Sequence, residues 1–299
     1  AARPYRLIDA RRVFGTNQSL WEIRMRITHR VGFGKFHAVD STLDALEIKY
    51  RKTQLPEGYY VITFDIDEQD PRWPEVARLV REKHASDIFD TVFTAQEILD
   101  AEWVRLVPNF LRDYPQPEEG MAWTHITYEN ECPRCGVGYR QKAPFRLAEE
   151  PRLGKHDFWT FFWVYEVFCT PRVIEALRGS QFSGFEVWPA LMHRSDQPSQ
   201  LVSQLVFPTI AKPGLAKKDR QQPERCWRCG TTKYAFHMRG YMHLERKALR
   251  SDVDFQVTHE WFGSGSRSGH REILASNRVA KLILERKWRG LALKPVELV

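Results

Sequence analysis

Four cysteines in this chain stand in two pairs of one form, Cys132-x-x-Cys135-Gly136 and Cys226-x-x-Cys229-Gly230. Two residues between cysteines let both sulfurs reach one metal ion, and the glycine permits the tight turn beneath them. Two such pairs complete a tetrahedral thiolate shell, so the spacing predicts one structural zinc ion held by Cys132, Cys135, Cys226 and Cys229. A closed shell of four thiolates leaves no position for water, which argues for structure and against zinc catalysis. Two rival readings stay open on the residues alone: a redox dithiol, or separate sites completed by His125, His237 or His243. The fifth cysteine, Cys169, follows the aromatic run Phe158 to Phe168 and is expected to be a buried, inert thiol.

A second group of residues suits a different chemistry. Lys217, Lys218, Arg220, Arg225, Arg228, Lys233 and Arg239 cluster around the second cysteine pair, with Trp227 among them. Cations track phosphates and aromatics stack on bases, so this mix fits single-stranded nucleic acid or an acidic partner. A solvated basic loop is the plainer alternative. Net charge is +7, and it is uneven: residues 211–299 carry 19 Lys/Arg against 9 Asp/Glu.

Other candidates are weaker. Asp65-x-Asp67-x-x-Asp70 places three carboxylates at a strand end, but it lacks the glycine and closing glutamate of a calcium loop. His259-Glu260 has no second histidine at metalloprotease spacing. The segment Gly263 to His270 has the composition of a mobile loop, and no Gly-Lys-Ser/Thr makes it a phosphate loop. No convergent acid, base and nucleophile can be assembled, so the chain is read as non-enzymatic.

The elements that must position these residues are mixed. Tyr59 to Ile66 is apolar and β-branched, which predicts a strand. Asp70-Pro71 then offers a cap and a proline where a helix should begin. Thr94-x-x-Glu97 is a capping box, flanked by Phe93 and Ile98 as a hydrophobic staple, and predicts a helix over about residues 95–104. The stretch from Pro108 to Pro117 reads as a connector.

An internal repeat follows. A shift of 106 residues aligns Glu166, Arg172, Val173, Gly184 and Pro189 with Glu272, Arg278, Val279, Gly290 and Pro295, without a gap. Each copy reads as a strand ending at a hydroxyl cap (Thr170 or Ser276), a short helix, a glycine turn and a second strand. The inner helix faces should be Val173, Ile174 and Leu177, and Val279, Leu282 and Ile283. Arg172 and Arg278 stand in the first helical turn, where the helix dipole disfavours cations. Glu166 and Glu272 are the natural carboxylates to pair with them.

These readings predict a mixed α/β protein. Residues 1–118 form an N-terminal α+β region, and 119–299 a duplicated domain. Its repeats cover about 130–195 and 224–299, joined by the shared zinc. The odd cysteine count and paired C-x-x-C motifs favour a reducing cytoplasm. No apolar run reaches the roughly 18 residues that span a bilayer.

At the two C-x-x-C-G motifs the sequence resembles the bacterial double-CXXCG family, which includes immunity proteins against contact-dependent toxins. The closing segment from Ile273 to Val299 is similar to that family's strand–helix–strand ending. The resemblance covers about residues 130–299, and the chain departs from the family in its extra N-terminal hundred residues and its basic tail. It implies a zinc-stabilised, non-catalytic protein that neutralises a cognate toxin by binding it. The expected function is therefore a zinc-bound binding protein with a protein partner, and the alternative is nucleic-acid binding by the basic C-terminal third.

Overall fold

The structure is a computed structural model that describes residues 25–264 and 269–299. Of the glycine- and serine-rich loop expected at 263–270, residues 265–268 lie outside the described residues. The described residues fall into two units, one of residues 25–97 with Met238–Gly240, the other of residues 98–237 and 241–299.

The smaller unit runs β1 (Arg26–Gly34), α1 (Asp40–Ala45), β2 (Arg51–Gln54), β3 (Tyr60–Asp67), α2 (Trp73–Lys83) and β4 (Ser86–Val92). Its sheet is antiparallel in the order β2-β3-β1-β4. This is the split βαββαβ arrangement of ferredoxin-like folds. Alternate residues Ile62, Phe64 and Ile66 of β3 turn inward and share a core with Val76, Leu79 and Val80 of α2. The helix starts two residues after Pro71: Asp70 accepts the backbone N–H of Arg72 at 2.9 Å and shapes the turn before it. Residues 238–240 belong here because Arg239 makes a two-pronged ion pair with Glu68 at 2.6 and 2.7 Å. The Gly240 N–H also donates to the Thr91 hydroxyl.

Next comes α3 (Ala95–Asp100), opened by the expected capping box: Thr94 N–H donates to Glu97 at 2.8 Å, and Glu97 N–H to the Thr94 hydroxyl at 3.1 Å. It ends before residue 104 because a strand, β5 (Trp103–Pro108), follows at once. The chain continues through α4 (Trp123–Thr127), β6 (Tyr128–Glu129), β7 (Arg140–Gln141), β8 (Arg146–Leu147) and β9 (Phe158–Trp159). Then come β10 (Val167–Cys169), α5 (Pro171–Gly179), β11 (Glu186–Met192) and β12 (Pro198–Val206). The last stretch holds β13 (Glu224–Arg225), β14 (Thr232–Tyr234), β15 (Met242–Leu244), β16 (Phe255–Val257) and β17 (Trp261–Phe262). It closes with β18 (Ile273–Ser276), α6 (Asn277–Glu285) and β19 (Leu291–Leu298).

Two five-stranded sheets organise the larger unit, ordered β8-β11-β12-β10-β9 and β15-β19-β5-β18-β16. In each, the first pair is parallel and the other three pairs are antiparallel. The registers also correspond: Val187 faces Leu205 and Phe168 faces Gln204 in one sheet, and Leu293 faces Leu106 and Leu274 faces Arg105 in the other. Each helix joins two parallel strands that do not pair, because an antiparallel strand (β12 or β5) lies between them. β5 thus pairs with strands far along the chain, and the two units divide ahead of it.

The two sheets hold each other by matching contacts. Asp157 and Phe158 both donate their backbone N–H to the Arg289 carbonyl, and Asp254 and Phe255 donate theirs to the Ser183 carbonyl. Gly290 (φ +107) rests on the Phe158 backbone and Gly184 (φ +88) on that of Phe255. A Cβ at either glycine would collide with the carbonyl oxygen beneath it. The cores differ in chemistry. That around β10 is aromatic, with Trp123, Phe145, Trp159, Phe161 and Phe168, while that around β18 is mostly aliphatic, with Leu215, Met242, Leu244, Leu274 and Val296.

The helices bury Val173, Ile174 and Leu177, and Val279, Ala280 and Ile283. Ala280, not Leu282, completes the second face, since it is the counterpart of Ile174. Thr170 and Ser276 sit at the N-cap positions but make no side-chain cap. Ser276 donates instead to Asp254 at 2.8 Å, and the buried Thr170 hydroxyl has no partner among the described residues.

Candidate metal centre

Each C-x-x-C pair lies at the tip of a short hairpin, β6–β7 for the first and β13–β14 for the second. The two tips fold identically. The Cys132 N–H donates to Val137 and the Cys226 N–H to Thr231, both at 2.9 Å. Gly136 and Gly230 return their N–H to the Cys132 and Cys226 carbonyls, both at 2.8 Å. Both glycines adopt positive φ, 66° and 73°, a region where a side chain costs energy.

The four Sγ atoms lie within 4.8 Å of one another and can hold a metal ion. Cys132 and Cys226 approach to 3.9 Å, Cys135 and Cys229 to 3.6 Å. A tetrahedron with metal–sulfur bonds of about 2.3 Å has edges of about 3.8 Å, so the donors fit such an ion without rearrangement. Cys132, Cys135 and Cys226 are buried, in a cluster with Val137 and Trp261, and Cys229 is exposed.

Local dipoles prepare part of the set for ionisation. Backbone N–H groups of Arg134 and Cys135 favour the Cys132 thiolate. The Thr231 hydroxyl and N–H lower Cys229 to about 6. Burial pushes the Cys135 thiol up to about 12. A divalent cation is what would hold all four as thiolates together.

None of the rival histidines joins this cluster. His237 and His243 flank the buried Asp219, at 3.4 and 2.9 Å, and His125 lies on α4. The carboxylates of the Asp65 motif are taken by arginines: Asp65 by Arg30 at 2.8 and 2.9 Å, Asp67 by Arg26 at 3.9 Å, and Asp70 by Arg72 at 2.6 Å. Arg72 lowers Asp70 to about 2. Cys169 is fully buried, and burial raises its thiol.

The basic cluster divides. Lys217, Lys218, Arg220, Arg225, Trp227 and Arg228 are exposed. Lys233 is buried, with its ammonium on the Cys135 carbonyl at 3.3 Å, and Arg239 sits in the smaller unit on Glu68. Both leave the surface set because β14 is an inner strand of its sheet and residues 238–240 belong to the smaller unit.

Arg172 and Arg278 both meet a carboxylate, but it is Asp157 and Asp254, not Glu166 and Glu272. The glutamates point the other way. Glu166 accepts the Tyr128 hydroxyl at 2.5 Å, and Glu272 accepts the Arg105 guanidinium at 2.8 Å. Burial raises the Glu166 carboxyl. Burial would raise Glu272 as well, but Arg105 and His270 hold it well below the usual carboxylate range.

Sequence reasoning missed the network that Glu272 belongs to. Arg105 bridges Glu272 and the backbone carbonyl of His237, and His237 leads through Asp219 to His243 and Glu297. Burial, with the Arg105 charge beside it, lowers the His237 pKa. It also missed Asp157 and Asp254, although both precede a phenylalanine, a shared signal 97 residues apart.

No helix among the described residues is long and apolar enough to cross a membrane. No protein-family model matches the chain, and a search of the curated proteins finds no match.

Proposed function

We propose that this chain is a non-enzymatic cytoplasmic binding protein built on a duplicated, zinc-stapled scaffold, with a protein as its partner. The observation that carries the scaffold is the spacing of the four sulfurs, 3.6 and 3.9 Å within cross-hairpin pairs, with one pair of ligands from each hairpin. Soft tetrahedral thiolate sets select zinc or iron–sulfur centres, and this closed, single-ion geometry suits zinc. Cys132, Cys135, Cys226 and Cys229 would hold it, and it would supply cross-linking, not chemistry.

The duplication has the same physical support. Residues 98–196 and 197–299 each run central strand, metal hairpin, edge strand, the strand after Asp-Phe, strand, helix, strand, with α4 added in the first and β17 in the second. Each segment gives its first strand to the middle of the other's sheet, β5 between β18 and β19, and β12 between β10 and β11. Strands so exchanged and hairpins sharing one ion make a rigid pair of sheets, the kind of platform on which a binding surface keeps its shape.

The partner reading follows the resemblance to double-CXXCG immunity proteins, in which a toxin is the bound protein. It is tested by expressing the chain with the toxin encoded beside its gene. Restored growth and co-elution of the two proteins support it. A chain that carries one zinc yet neither rescues growth nor binds sinks the immunity reading and leaves the scaffold standing.

A further inference from the structure

The two metal hairpins act as each other's control. Their backbone bonds, glycine conformations and ligand geometry match at an offset of 94 residues. Whatever the fold needs at these tips, both tips have. Arg134 and Arg228 correspond, which suits cations beside a doubly negative metal–thiolate cluster. Glu131 and Pro133 stand in the first tip where Arg225 and Trp227 stand in the second. The fold therefore does not require an arginine and a tryptophan there.

Trp227 is 79% exposed and makes no ring contact among the described residues. An indole costs free energy in that position, since it orders water around a large apolar face. The chain leading to it carries Lys217, Lys218, Arg220 and Arg225, and Arg228 follows. Lys217, Lys218, Arg225 and Arg228 make no ion pair among the described residues. Around a protein-binding hot spot one finds a collar of contacts that excludes water. Along the chain the nearest other exposed large apolar side chains are Ile210 and Met238, 17 and 11 residues away. A lone free ring in a field of cations matches a nucleobase and its flanking phosphates better.

We infer that the second metal hairpin and the segment before it form a docking site for single-stranded nucleic acid. Trp227 stacks on a base, and Lys217, Lys218, Arg220, Arg225 and Arg228 track the backbone. The metal holds the tip rigid, so little ordering is lost when the base arrives.

Fluorescence anisotropy of the full, metal-loaded chain tests this with labelled oligo-dT about twelve nucleotides long, across a sodium chloride series. Saturable binding is expected, with log affinity falling against log salt at a slope of about −3.5 for five phosphate contacts. Trp227→Ala should weaken it by about tenfold or more. Lys217→Glu with Lys218→Glu should reduce the slope by about 1.4. Both variants are on the surface, and unchanged metal content and melting show that they fold. No binding at low salt, or affinity indifferent to Trp227→Ala, overturns the proposal. Poly-glutamate that competes as well as the oligonucleotide overturns it too, and assigns the patch to an acidic protein. None of these outcomes bears on toxin binding, which is read separately.

Discussion

The carboxylate of Asp157 accepts the backbone N–H of Arg289, 132 residues further along the chain, at 2.9 Å. Asp254 does the same for Ser183 at 3.1 Å. Each aspartate is buried and also meets an arginine of the helix beside it, Arg172 or Arg278. Each thus ties its own helix to the other segment's turn.

Asp157→Ala should therefore destabilise the larger unit by about 2–4 kcal/mol, because a part-buried N–H and a turn lose their buried acceptor. Asp254→Ala should cost a similar amount. Arg172→Ala removes only the exposed end of the contact and should cost under about 1 kcal/mol. Urea denaturation of the three variants checks the order; equal effects would show that the ion pair, not the backbone grip, matters.

Gly290→Ala and Gly184→Ala combine positive φ with a backbone collision, and each should cost about 3 kcal/mol or more. Gly154 also has positive φ but faces open space, so its alanine variant isolates the conformational part, about 1 kcal/mol. Melting temperatures of the three separate packing from strain.

For the proposed zinc site, Cys135→Ser should abolish stoichiometric zinc, measured by elemental analysis, and destabilise the larger unit severely. Structural zinc sites of this type contribute on the order of 10 kcal/mol of apparent binding energy. A strong chelator should have the same effect on the unaltered chain. Full zinc content in Cys135→Ser would refute the four-cysteine site.

Glu272 is held ionised by Arg105, so its folded pKa lies below the unfolded value. Its contribution to stability is complete above about pH 4.3, the unfolded carboxyl's range, and is lost as pH falls through the folded value. Glu272→Gln leaves Arg105 buried without its counter-charge and should cost about 3–5 kcal/mol at pH 7. It should also flatten the loss of stability between about pH 5 and pH 3 relative to the unaltered chain. Denaturation curves at several pH values read both effects.

The four-cysteine cluster was legible because its members are spaced by local geometry: two residues and a glycine suffice to name them. The helices at 171–179 and 277–285 were legible for the same reason, as apolar spacing lies within one element. Arg172's partner was not. Asp157 lies outside the 106-residue frame, because its counterpart Asp254 is offset by 97 and the difference is absorbed by extra residues between Asp254 and Glu272. A single ungapped alignment cannot relate positions whose offset drifts from 106 to 97. The exchange of β5 and β12 was hidden for a deeper reason: a strand's alternation says which face is buried but not which sheet receives it.

That exchange also bears on how the protein is made. β5 finds its partners β18 and β19 about 170–190 residues later, as the pairing of Val104 with Ala275 and of Arg105 with Lys294 shows. A ribosome adding about 5–20 residues per second needs roughly 10–40 seconds to deliver them. Throughout that interval β5 is an unpaired strand carrying Trp103, Val104 and Leu106, side chains that the finished molecule buries. Newly made chains should accordingly depend on holding chaperones until β19 emerges.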